Sequence, residues 1–162
     1  MALGIEEVKL LVPEGSNIIL AQTHFIKTVE DVCEAIMNTV PDAKFGIGFS
    51  EASGACLVRY EGNDTELTDA AIENIKRLSA GHSLVILLRN AYPINILTRL
   101  KNVPEIVNIF CATANPVSVV VARSDDGGAV LGVIDGAAPV GVEGDDDKRW
   151  RHDFLRRIGY KF

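Results

Sequence analysis

The residue best suited to chemistry is a histidine. His24 ends the run Gln22-Thr23-His24, which follows the apolar stretch Ile18–Ala21 and precedes a helix-like segment opening near Thr28. A neutral imidazole nitrogen can serve as a general base or as a nucleophile toward phosphorus. A helix N-terminus beside it would add unpaired backbone N–H groups and the positive end of a dipole, a seat for phosphate. The Thr23 hydroxyl is a further donor at the same place. The competing reading is a histidine whose ring only bonds neighbouring backbone. His82, after Gly81 at a strand start, and His152, on the last helix, read as structural.

The same pattern, a polar cluster just beyond an apolar run, recurs three times. Ser50-Glu51-Ala52-Ser53-Gly54 follows Phe45–Phe49, Thr113-Ala114-Asn115-Pro116 follows Ile106–Ala112, and Asp135-Gly136 follows Val130–Ile134. In α/β sheets, ligands bind beyond the carboxyl ends of strands. Strands running one way would bring these ends together around His24; the hairpins in the chain limit how many can do so. Glu51 could orient a histidine or accept from a ribose hydroxyl. Ser53 and Gly54 offer a hydroxyl and an N–H. The Asn115 amide holds both donor and acceptor, as reading an adenine edge requires. Asp135 could accept from a sugar hydroxyl or hold a metal, but no second carboxylate stands at ligand spacing. Each also has a plain structural role: a solvated glutamate, a turn, a rigid Asn-Pro corner. Phe25, Tyr60 and Tyr92 could stack on a base or serve as core and rim.

Several reaction classes are excluded by missing motifs. The chain has no G-x-x-x-x-G-K-[ST] loop, no G-x-G-x-x-G after a strand, no G-x-S-x-G elbow and no H-E-x-x-H. A net charge of −6 argues against a nucleic-acid footprint. The local basic group Arg149, Arg151, Arg156 and Arg157 reads as a solvated helix face. Cys33, Cys56 and Cys111 form no C-x-x-C pair, and each lies in an apolar run. They read as small hydrophobes rather than disulfides or zinc ligands. Glu6, Glu7 and Lys9 near the start do not resemble a signal peptide, and no apolar run approaches bilayer length. A cytoplasmic protein without membrane contact is expected.

The elements that must position these residues alternate between strand and helix. Val8–Val12 and Ile18–Ala21 read as strands joined by Pro13-Glu14-Gly15, a candidate hairpin. Thr28, with Asp31 three residues on, reads as the cap of a helix whose stripe is Val29, Val32, Cys33, Ile36, Met37 and Val40. Phe45–Phe49 and Leu57–Tyr60 are strands. A second helix runs from about Asp64 to Ser79 with Leu67, Ala71, Ile75 and Leu78 inward, and Gly81 suits the place past its end. Leu84–Leu88, apolar throughout, reads as a central strand buried on both faces. Pro93 opens a short helix. Ile106–Ala112 is a strand, and Val117–Arg123 and Val130–Ile134 flank the hairpin signal Asp125-Asp126-Gly127-Gly128. After a Gly/Ala-rich loop over 135–147, Trp150, Phe154, Leu155 and Ile158 mark one side of a last helix. With 162 residues this is one domain, 1–162. The fold class is α/β in the mixed α+β sense, a mixed sheet covered by three to four helices.

These residues carry a resemblance. Ala21-Gln22-Thr23-His24-Phe25-Ile26-Lys27-Thr28-Val29-Glu30-Asp31 is similar to the most characteristic stretch of the adenosine-specific kinase family. The likeness continues through Lys44-Phe45-Gly46, Ser50–Gly54, Val58-Arg59, Glu61–Asp64, Gly81-His82, Tyr92–Asn95 and Cys111–Pro116. It runs on through Gly132–Gly136, Pro139, Gly141–Glu143, Arg156 and Ile158–Tyr160. It implies a small α/β protein that recognises adenosine or AMP, with phosphoryl transfer suggested by the kinase label. A phosphohistidine at His24 would reconcile a reactive histidine with the missing ATP-binding loop, and Thr23, Glu51, Ser53, Gly54, Asn115 and Asp135 would hold the nucleoside. No resident cofactor or metal is implied; a phosphate donor with Mg²⁺ is the co-reactant left open. A homo-oligomer, with a trimer favoured, is the implied assembly. The rival readings are a non-catalytic AMP or adenosine sensor, and a structural oligomer with an incidental pocket.

Overall fold

The computed structural model describes residues 3–162. In chain order the elements are β1 (Gly4–Lys9), β2 (Asn17–Gln22), α1 (Thr28–Thr39), β3 (Lys44–Ser50), β4 (Val58–Gly62) and α2 (Thr65–Leu78). They continue as β5 (Ser83–Arg89), α3 (Pro93–Leu100), β6 (Asn108–Thr113), β7 (Val117–Ser124), β8 (Gly127–Asp135) and α4 (Asp145–Arg157). The α/β class holds, but the strands form two sheets rather than one. Five are ordered β4-β3-β5-β2-β6 and three are ordered β1-β7-β8. Every pairing is antiparallel, so the sheets are not mixed in strand direction.

Strand β5 is apolar from Leu84 to Leu88 because it lies at the centre of the five-stranded sheet with both faces covered. Side-chain alternation divides the sheet between two cores. Ile19, Ala21, Phe45, Ile47, Phe49, Leu84, Ile86 and Leu88 pack against Val29, Val32 and Ile36 of α1 and Ile96 and Leu100 of α3. On the other face Ile18, Leu20, Val85 and Leu87 meet Leu67, Ala71, Ile75 and Leu78 of α2. They also meet Val117, Val119 and Val121 of the three-stranded sheet. The result is three layers: a helix pair, the large sheet, and a layer shared by α2 and the small sheet.

Helix α2 lies directly on β3 because that strand presents glycines there. A Cβ on Gly46 would come within 2.2 Å of the Leu67 and Thr68 backbone, and one on Gly48 within 2.7 Å of the Ala71 carbonyl oxygen. Asp64 caps the helix by accepting from the Leu67 N–H (3.1 Å). Its far end closes with Ser79 in the left-handed region (φ 44°), the place expected for Gly81. Arg123 of β7 donates to the freed carbonyls of Arg77, Leu78 and Ser79 there.

The first strand lies earlier than its apolar run suggests, and it makes no hairpin with β2. β1 pairs with β7 instead. The Leu10–Val12 stretch is held by a side chain: Asn74 of α2, fully buried, accepts from the Leu11 N–H and donates to the Leu11 carbonyl, both at 2.7 Å. Asn74→Ala removes both hydrogen bonds and leaves a gap in the fully buried position of Asn74, and a loss of about 2–4 kcal/mol is expected in urea denaturation. Thr28, expected as the cap of α1, is instead its first residue and donates its hydroxyl to the Phe25 carbonyl (2.5 Å). None of the helices among the described residues is long and apolar enough to cross a membrane.

Candidate functional site

Because β2 and β3 both run antiparallel to β5, their carboxyl ends lie side by side at one edge of the large sheet, beside the start of β5. Three backbone bonds tie the exits together. The Thr23 N–H donates to the His82 carbonyl (2.9 Å), the His82 N–H to the Ser50 carbonyl (2.8 Å), and the Val107 N–H to the Gln22 carbonyl (2.9 Å). His82 adopts φ 61°, which turns the chain into β5 at that crossing. A cleft of about 210 Å³ opens above, lined by His24, Phe25, Ile26, Phe49, Glu51, Ala52, Ser53 and His82.

The His24 ring is exposed and oriented by one bond: its Nδ1 lies 2.9 Å from the Glu105 carbonyl oxygen. A carbonyl only accepts, so Nδ1 carries the proton. In the neutral ring the lone pair is therefore on Nε2. Thr23, next in the chain, is 1% exposed with a hydroxyl that has no partner. The His82 ring stacks on Phe49, with centroids 6.0 Å apart and planes 9° off parallel, which places it as a wall of the cleft.

Glu51 points back into its own loop. One carboxylate oxygen accepts from the Leu57 N–H (2.7 Å) and the other meets the Arg59 guanidinium (2.9 Å). The Leu57 N–H, aided by Arg59, holds its carboxyl below the usual carboxylate range. A depressed folded-state pKa contributes stability above the unfolded value and loses it as pH falls through the folded one. Glu51→Gln should therefore lower stability at pH 7, with the gap to the parent protein closing in acid. Urea melts at both pH values measure it, and a gap that widened in acid would contradict the assignment. Ser53 lines the cleft, and Gly54 (φ 69°) makes the turn between β3 and β4.

Asn115 and Asp135 do not join this cluster. β6 runs antiparallel to β2, so Asn108 stands beside Gln22 while Thr113 stands beside Ile18, at the far edge of the sheet. The four strand positions between those two levels span roughly 13 Å at about 3.3 Å each, and His24 and Asn115 lie beyond them at opposite ends. Asp135 pairs across β7 with Val117 and accepts from the Asn115 amide (2.9 Å). The convergence expected from four strand ends thus holds for the ends of β2 and β3 only. The helix seat is also narrower than expected: the Thr28, Val29 and Asp31 N–H groups already bond to the Phe25, Ile26 and Lys27 carbonyls.

Glu105, Lys27 and Arg59 also stand near the site. Glu105 is 2% exposed, and its backbone orients His24 across 81 positions of sequence. Its carboxylate lies 3.4 Å from the Lys27 ammonium without an aligned hydrogen bond, while Lys27 bonds Asp31 at 2.7 Å. That ammonium holds the Asp31 carboxyl below its usual range. The third, Arg59, is a partner of Glu51 across the hairpin from β3. The Lys27–Asp31 spacing of one helical turn was visible in the sequence; nothing local signals Glu105. Among the described residues no three His, Cys, Asp or Glu side chains form a metal cluster.

No curated protein matches the chain. Among solved structures, the PH1918 protein from Pyrococcus horikoshii OT3 is 43% identical, superposes with a TM-score of 0.94, and shares 99% coverage of both chains. The family described as adenosine specific kinase matches residues 8–161. The chain belongs to the adenosine-specific kinase family.

Proposed function

We propose that the protein binds adenosine or AMP in the cleft at His24 and that His24 Nε2 carries a phosphoryl group between a phosphoanhydride donor and the nucleoside. Family membership supports an adenosine-related function. The observation that carries the chemistry is the Nδ1 bond to the Glu105 carbonyl, which leaves Nε2 with its lone pair at an open cleft. In the first step that lone pair forms the N–P bond while the donor's P–O bond breaks, its electrons leaving on the donor oxygen. Nδ1 keeps its proton and donates it to the Glu105 carbonyl throughout, so no proton need leave the ring. In the second step a nucleoside hydroxyl attacks phosphorus, the N–P electrons return to Nε2, and the hydroxyl proton passes to water. Ser53 lines the cleft and offers a polar contact to the ligand, Thr23 and Gly54 stand behind it in the adjoining backbone, and Phe25 offers an exposed ring for the base. Mg²⁺ would arrive on the donor's phosphates. Asn115 and Asp135 contact the same ligand only if a second copy brings them there.

Intact-mass spectrometry after incubation with ATP, ADP or pyrophosphate tests this. The expected product is a single phosphoryl adduct, acid-labile, mapping to His24; no adduct with any donor would sink the proposal. A second reading, an AMP or adenosine sensor that makes no bond, rests on Glu51: both its oxygens are engaged, so it is not poised as a base for an attacking hydroxyl. Saturable AMP binding without phosphorylated product from adenosine and donor would favour it.

A further inference from the structure

A second hollow lies across the large sheet from His24. It encloses about 170 Å³ between the end of β2, the start of β5 and strand β8. Side-chain alternation puts it on the other face. Gln22 follows Ile18 and Leu20 on β2, and Ser83 precedes Val85 and Leu87 on β5. Those four apolar residues belong to the core beneath α2 and the small sheet. Phe49, which lines the His24 cleft, belongs to the opposite core. Thr23 and His82, joined by the bond from the Thr23 N–H to the His82 carbonyl, separate the residues that line the two hollows.

Two side chains in this hollow lack partners. Gln22 and Ser83 stand directly opposite each other in the β2–β5 pairing, which sets their side chains side by side. Ser83 is 3% exposed and lines the hollow, and its hydroxyl makes no hydrogen bond among the described residues. A hydroxyl enclosed to that degree costs stability until something bonds it. The Gln22 amide likewise has no partner among the described residues, and it carries both a donor and an acceptor. Phe110 of β6, half-buried, adds an aromatic surface. Ala80, Gly81, Gly128 and Ala129 are small enough to leave the space open.

These features define a ligand. Pockets that enclose drug-sized molecules hold roughly 300–1,000 Å³, so this one fits a single ring system rather than a nucleotide. No charged side chain among the described residues lines it, so nothing there balances a phosphate or a carboxylate. An amide that offers donor and acceptor together matches a ring edge with an acceptor beside a donor, as on adenine. An aromatic wall suits a planar ring.

We propose that this hollow is a second binding site, separate from the His24 cleft, for an uncharged heterocycle of nucleobase size held by Gln22 and Ser83. It does not depend on phosphoryl transfer at His24, and it takes no part in it.

Free adenine is the probe, titrated into the labelled full chain and followed by NMR. Saturable shifts are expected at the Gln22 side-chain amide. Purine, the same ring without the amino group, should bind about tenfold more weakly, since one of the two bonds to Gln22 is lost. Gln22→Leu, at an exposed position, should weaken adenine by about tenfold or more, with circular dichroism confirming the fold. Ser83→Ala should weaken it several-fold, yet leave the melting temperature of the free protein unchanged or raised, because its hydroxyl has no internal bond to lose. His24→Ala should bind adenine at Gln22 with unchanged affinity, whether or not AMP binds in the cleft. No shift at Gln22 up to the solubility limit of adenine would overturn the proposal, as would equal binding of purine. A Ser83→Ala protein that is less stable when free would also overturn it. So would AMP displacing adenine from Gln22, which would make the hollow part of the cleft's own site.

Discussion

His24→Ala abolishes phosphoryl incorporation and lowers any transfer to adenosine by a factor on the order of 10³ or more, the scale of losing a covalent nucleophile. Its melting temperature stays within about 2 °C of the parent protein. The ring is exposed and makes one hydrogen bond, to the Glu105 backbone carbonyl, and substitutions of exposed side chains cost roughly 0.5 kcal/mol or less. The separation of the two readouts matters. A histidine that served only to tie the Glu105 loop would show a stability loss with nucleotide handling reduced in proportion. His24→Gln adds a check: its amide can still donate to the Glu105 carbonyl, yet no nucleophilic nitrogen remains. It should match the alanine variant in activity and the parent in stability.

The largest stability effect is expected at Gly46, far from the chemistry. Gly46→Ala places a methyl 2.2 Å from the carbonyl carbon of Leu67 and the nitrogen of Thr68. Both atoms belong to the first turn of α2, which Asp64 and the Asn63 side chain hold in register with β3. A flexible side chain could move aside, but a helix backbone moves only as a body. The expected loss is about 3 kcal/mol or more, at the upper end of overpacking costs. For a domain of this size that lowers the melting temperature by roughly 6–12 °C. A change of less than about 1 kcal/mol would mean that α2 shifts off β3 without penalty, contrary to the packing described here.

Much of this fold was legible because its signals are local. Five consecutive apolar residues at Leu84–Leu88 marked a strand covered on both faces, and β5 is the central one. The stripe Val29, Val32 and Ile36 marked the buried side of α1, though Met37 falls on its exposed edge. The Asp125-Asp126-Gly127-Gly128 signal marked the turn between β7 and β8. Strand direction was not legible, and on it depends which loops meet. Glu51 and Ser53 join His24 because β2 and β3 flank an antiparallel β5; Asn115 is carried away because β6 returns along β2. Glu105 was invisible for a related reason: a buried carboxylate after Pro104 has no local pattern, and its link to His24 exists only once β6 lies beside β2. The last helix has a visible apolar side, but periodicity cannot say whether that side packs on its own chain. Here it does not.

The central claim is that an adenine nucleoside binds at His24, and the most direct measurement follows the imidazole itself. A titration of the labelled protein with AMP, observed through the His24 ring nitrogens by NMR, with GMP as control, reads both binding and place. Saturable, AMP-selective shifts at His24 Nε2 are expected, with Nδ1 remaining protonated and bonded. Saturable AMP binding that leaves the His24 ring unmoved, or no selectivity over GMP, would contradict it.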